Sequence, residues 1–170
     1  MTHATSVDTQ SAPQILMIDG ASIRDIASFY DEINRVFMVG EDWRLGASLD
    51  GLDDMLYGGY GVLRGKAPAI VVWDQMDSSR TALGVEATRA YYLAKLEHPQ
   101  VFKPGPIHAA LAHLGQGGPT YFDLVMQVFA DHPNITLRGA EYLVVQLTLR
   151  ARFYWFVARF MGAPRECVDQ

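Results

Sequence analysis

Two short apolar runs most constrain what this chain can become. One is Ile15-Leu16-Met17-Ile18, closed by Asp19-Gly20; the other is Ala69-Ile70-Val71-Val72-Trp73, bounded by Pro68 and Asp74. A strand with one solvated face alternates apolar and polar residues, whereas a strand covered on both sides runs continuously apolar. The first run therefore reads as a strand buried on both faces, and the β-branched second run as another strand. Asn134-Ile135-Thr136-Leu137 is a candidate third. Between them the apolar residues take a helical period. Ile26, Phe29, Tyr30, Ile33 and Phe37 recur at three and four residues after Asp25, a suitable N-cap, with Gly40 as a stop, so a helix is expected over about 26–38. Strands joined through helical crossovers predict a parallel α/β sheet with right-handed connections.

The remaining segments follow the same logic. Residues 40–47 read as a loop. Ser48 caps a shorter helix over about 49–57, with Leu49, Leu52 and Leu56 inward and Gly58, Gly59 and Gly61 ending it. Ser78-Ser79 precede one helix near 79–97, with Leu83, Ala87, Ala90, Tyr91 and Ala94 on one face and Gly84 as its weak point. Proline and glycine breaks make 98–119 an irregular insertion, with a short helix near 107–114. Thr120 caps a further helix presenting Phe122, Val125, Met126 and Phe129, stopped by Pro133. The expected organisation is a flexible segment 1–13, a domain 14–138 and a C-terminal extension 139–170. Residues 140–163 are apolar nearly all round, but Arg152 near the middle argues against a membrane span. A helical tail docked on the domain or on a second copy is expected there.

Composition narrows the function. The net charge of −5 disfavours a direct nucleic-acid partner, which would require clustered Lys and Arg, and suits a basic protein instead. The lone cysteine, Cys167, cannot form an internal disulfide, and the polar N-terminus carries no export signal, so a cytoplasmic protein is expected. His3, His98, His108, His113 and His132 lack metal-ligand spacing. No phosphate loop, dinucleotide fingerprint or nucleophile elbow occurs. No catalytic residue, metal or cofactor is expected, and the chain reads as a non-enzyme.

One segment concentrates charge. Residues 41–54 hold five acids, Glu41, Asp42, Asp50, Asp53 and Asp54, against the single base Arg44. Asp50 and Asp54 stand four apart on the second predicted helix, so their carboxylates share the face opposite Leu49, Leu52 and Leu56. Like charges at that spacing repel by a few tenths of a kcal/mol, partly offset at Asp50 by the positive end of the helix dipole. Taken alone, such a cluster is ordinarily a solvated helix face; it could also serve an acidic adaptor for a basic partner, or a divalent-metal-dependent hydrolase built on Asp50, Asp53 and Asp54.

Three stretches resemble the barstar family in order: Ile18-Asp19-Gly20-x-x-Ile23 with the helix after it; Gly46-x-x-Leu49-Asp50-x-Leu52-x-Asp54-x-Leu56-x-Gly58; and Pro68-x-x-Val71-x-Trp73. Val125–Phe129 and Ile135–Leu137 are similar to its last helix and strand. The resemblance implies a three-stranded parallel sheet flanked by helices and an intracellular inhibitor of a basic, microbial secreted or toxin-type ribonuclease. By position, Asp50 and Asp54 match the two helix aspartates that enter the nuclease active site, and Asp131 an acid late in the last helix. Arg44 stands where the best-known member of the family has an aromatic contact residue, and Asp53 where that member has a tryptophan. Tyr57, Tyr60 or Trp43 is expected to supply the aromatic anchoring instead. Trp73 is expected in the core.

Overall fold

A computed structural model describes residues 13–139. Three strands, β1 (Gln14–Asp19), β2 (Ala69–Asp74) and β3 (Ile135–Gly139), pair in the order β1-β2-β3, parallel throughout. Six helices fill the crossovers: α1 (Ile26–Phe37), α2 (Leu49–Leu56), α3 (Met76–Ala82), α4 (Val85–Leu96), α5 (Pro104–Gly115) and α6 (Tyr121–Ala130), with 3-10 turns at Gly20–Ser22 and Gly61–Leu63. The expected three-stranded parallel sheet flanked by helices is the fold found.

The core lies on one face of the sheet. Ile18, Val71 and Trp73 meet Phe29, Ile33 and Phe37 of α1, Leu52, Met55 and Leu56 of α2, and Phe122, Val125 and Phe129 of α6. Trp73 is its centre, with ring centroids 5.8–6.1 Å from Phe29, Phe122 and Phe129. Burying an indole requires a partner for its N–H. Trp73 Nε1 donates to Ser79 Oγ at 3.0 Å, and Ser79 Oγ reaches the Gly20 carbonyl at 3.4 Å, so one hydroxyl joins β2, α3 and the first turn. Gly20 must be glycine there, since a Cβ would lie 2.5 Å from the Gln75 carbonyl oxygen. The hydroxyls of Tyr30 and Tyr121 pair at 2.9 Å and tie α1 to α6.

Three expectations are corrected. Among the described residues β1 is an edge strand covered on one face only: Leu16 and Ile18 turn inward, while Ile15 and Met17 are 60% and 51% exposed. The described helices gather their core on one side of the sheet. The single helix near 79–97 is two helices. The Leu83 carbonyl accepts from Phe122 N–H at 3.1 Å, and the Gly84 carbonyl accepts from Thr88 Oγ1 at 2.7 Å, so the chain turns at 83–84 to bind α6. Thr88, whose Oγ1 also accepts from Tyr121 N–H, is the buried residue of α4, whereas Ala90 and Ala94 face solvent. The short helix expected near 107–114 begins earlier, because Pro104 at N1 is tolerated where the N–H has no partner.

No helix among the described residues is long and apolar enough to cross a membrane. The segments 1–12 and 140–170 lie outside them, and with them the expected flexible lead-in and helical tail.

Candidate functional site

The acidic helix forms as its sequence requires. Ser48 at the N-cap accepts from Gly51 N–H at 3.3 Å, and Asp50 lies in the first turn, where negative charge is favourable. Leu52, Met55 and Leu56 are fully buried, and Leu49 is partly so. The opposite face, reading at 100° per residue, presents Asp50, Asp53, Asp54 and Tyr57, all exposed. Met55, not foreseen as core, takes the inward place beside Leu52.

The five acids divide by what they touch. Asp50 and Asp54 have no ion-pair or hydrogen-bond partner for their carboxylates among the described residues, and both point to solvent. Asp53 is held differently: its Oδ1 lies 3.0 Å from Nε2 of His132, a side chain buried behind α6. Glu41 is structural, since its Oε1 accepts from Gly61 N–H at 2.8 Å and from Arg64 at 2.7 Å. Asp42 is exposed on the loop.

The loop before α2 is fastened to α1 by Asn34, a buried side chain that periodicity does not single out. Its Oδ1 accepts from Leu45 N–H at 2.7 Å, and its Nδ2 donates to the carbonyls of Leu45 at 2.9 Å and Tyr30 at 2.7 Å. Arg44, next to this clamp, pairs with Asp31 of α1 at 2.6 Å on an exposed surface. Trp43 meets the Tyr60 ring edge-on at 4.8 Å, and Tyr60 donates to the Gly51 carbonyl at 2.8 Å. Burial, with the Asp54 charge adding to it, raises the Tyr60 phenol above its ordinary value, so it is a neutral donor.

At the other end of α2, Lys66 sits 3.9 Å from the Tyr57 ring centroid, and its ammonium holds the Tyr57 hydroxyl below the ordinary tyrosine value. Tyr57 also faces the His132 ring edge-on at 6.5 Å. Asp131, the C-cap of α6, accepts from Gln127 Nε2 at 2.9 Å and immediately precedes His132. Asn134 Nδ2 donates to the Leu56 carbonyl at 3.3 Å. Of the residues singled out in the sequence, Asp50, Asp53, Asp54 and Tyr57 share one helix face. Arg44 and Trp43 lie on the preceding loop, and Asp131 adjoins through His132. Asn34 and His132 were not singled out as parts of this site, while Glu41, read as one acid of the cluster, and Tyr60, read as a possible aromatic anchor, turn out to hold the surrounding backbone. Their roles depend on pairings 9 to 79 residues apart in sequence, which no local pattern signals.

Among the described residues no group of three or more His, Cys, Asp or Glu is placed to hold a metal ion. The arrangement is a solvent-facing acidic ridge with aromatic rings at both ends on a pinned helix. Such a surface suits binding of cations held in a fixed pattern.

No curated protein matches the chain in a sequence comparison. The family model described as Barstar (barnase inhibitor) does match, over residues 14–98, which takes in β1, α1, the acidic helix, β2, α3 and α4. The chain belongs to the Barstar family.

Proposed function

We propose that this protein is a stoichiometric inhibitor of a ribonuclease, which it blocks by laying the Asp50/Asp54 face of α2 into a cationic active site. The observation that carries the reading is the solvent-facing pair Asp50 and Asp54, which have no partner among the described residues, on a helix held by Ser48, Tyr60 and Asn134. A ribonuclease cleft holds phosphates with Arg, Lys and His, and carboxylates can take the same positions through charge-assisted, sometimes bidentate bonds. Membership of a family of barnase inhibitors supports a ribonuclease as the partner. Trp43 and Tyr57 would supply aromatic anchoring, and Arg44, Asp53 and Asp131 the rim of the contact.

The test is calorimetric titration of a cognate ribonuclease, with RNA cleavage assayed in parallel. Asp50→Ala and Asp54→Ala are each expected to weaken binding by about 2 kcal/mol or more, roughly thirtyfold, as desolvated charged anchors do. Asp77→Ala, remote on α3 and exposed, should leave it unchanged. Affinity should fall as salt rises. Equal losses at Asp54 and Asp77, or tight binding that leaves RNA cleavage intact, would replace the inhibitor reading with that of an acidic adaptor.

A further inference from the structure

The sheet face turned away from the core is apolar. Alternation along the strands places Ile15 and Met17 of β1, Ile70 and Val72 of β2, and Thr136 and Arg138 of β3 side by side in register. Val72 at the centre is buried, but Ile15 and Met17 at the edge are largely exposed. Parallel sheets are ordinarily covered on both faces, so two adjacent large apolar side chains on a parallel edge strand call for a cover. The same alternation puts Asp19 and Asp74 on this face, at its carboxyl end. Each has one oxygen engaged by a backbone N–H, of Ala21 and Gln75 respectively.

The chain itself supplies a segment of matching chemistry. β3 ends at Gly139 at the same carboxyl end, two strand spacings (about 10 Å) from β1. Beyond it lie residues 140–170, with eleven large apolar residues between Leu143 and Phe160, interrupted by Arg150, Arg152 and Arg159. An apolar segment with interspersed arginines complements an apolar face edged by two aspartates. The tether decides between this segment and a second copy. A segment that begins at the rim of the face has an effective concentration in the millimolar range, far above that of another molecule.

We propose that residues 140–163 cover the outer face of the sheet of their own chain, setting apolar side chains on Ile15, Met17 and Ile70 and arginines toward Asp19 and Asp74. The full-length chain tests this directly. With Cys167→Ser and Met17→Cys, a benzophenone maleimide placed at position 17 should, on illumination, cross-link within 140–163 of the same chain, giving a monomeric product located by peptide mass. In the unmodified chain, trypsin should cut after Arg150, Arg152 and Arg159 about tenfold more slowly than after Arg165, at a rate unaffected by dilution. Ile15→Lys with Met17→Lys should abolish that difference. Cross-linked dimers, adducts confined to 13–139, or tryptic protection that disappears on dilution would overturn the proposal. So would free cleavage in the unmodified chain.

Discussion

Asn34 shows how a single side chain can set the position of a surface far from its own element. It makes three hydrogen bonds, two of them with Leu45, and is itself buried, so its removal strands the Leu45 N–H and C=O away from water. A buried polar group left without a partner costs about 1–3 kcal/mol. Asn34→Ala is therefore expected to lower stability by about 3 kcal/mol in urea denaturation. It should also weaken ribonuclease binding, although residue 34 is not part of the proposed contact. Glu32, two residues earlier, is buried at 5% exposure. Burial alone would raise its carboxyl. The Arg35 guanidinium at 2.6–2.7 Å and the Asp19 N–H at 2.6 Å outweigh burial and leave the group below its ordinary value of 4.5. A carboxyl lowered in the folded state stabilises above its unfolded value and loses that contribution as pH falls through the folded one. Glu32→Gln should thus be less stable than the native chain at neutral pH, and the difference should shrink as pH drops below about 4.5, measured by denaturation at paired pH values. Neither role was visible in the sequence. Asp50 and Asp54 were legible because their spacing is local, whereas Asn34 and Glu32 lie among the apolar residues of α1 and act on partners brought near only by folding.

At the scale of elements, the acidic helix is held at both ends. Ser48 caps its start, Tyr60 bonds the Gly51 carbonyl, Asn134 bonds the Leu56 carbonyl and His132 holds Asp53. The turn that returns from α2 to the sheet rests on Gly61. Its φ of +66° disfavours any other residue, and an added Cβ would collide with the Phe37 carbonyl oxygen. Gly61→Ala is expected to cost about 3 kcal/mol, read by urea denaturation, because strain and collision act together. The starts of α1, α2 and α6 were well signalled, whereas α3, α4 and α5, which begin without a side-chain cap, were not. Asp25, Ser48 and Thr120 each cap through a side chain, and such capping is a matter of neighbouring residues. The break at 83–84 was only half legible. Gly84 marked a weak point, but the reason for the break is the competition of α6 for the Leu83 carbonyl, a tertiary effect.

For the molecule as a whole, the parallel topology followed from strands separated by helices, and the placement of Trp73 from its position in the most β-branched run. What could not be read was on which side of the sheet the described helices would gather, since sequence period reports only the character of a face and not what covers it. The same core predicts behaviour in alkali. Tyr30 and Tyr121 are both raised well above the ordinary tyrosine value of 10.0, chiefly by burial, and their hydroxyls bond each other. A phenol kept neutral in the fold, but free to ionise once unfolded, gives full stability below pH 10. That stability declines as pH climbs beyond it. Denaturation midpoints should fall between pH 10 and 11.5, and Tyr121→Phe should reduce that fall while costing about 1 kcal/mol at pH 7 through the lost hydrogen bond.

The amide of Asn34 returns here in another guise. By accepting from the Leu45 N–H and donating to its carbonyl, it offers the loop the donor and acceptor that a neighbouring strand would present. The loop gains the fixity of a paired strand, yet no further rung is left open beside it. An exposed ladder invites any extended chain to add itself, whereas a side chain closes the ladder after one step. At Leu45, then, an extended chain finds the backbone donor and acceptor already taken.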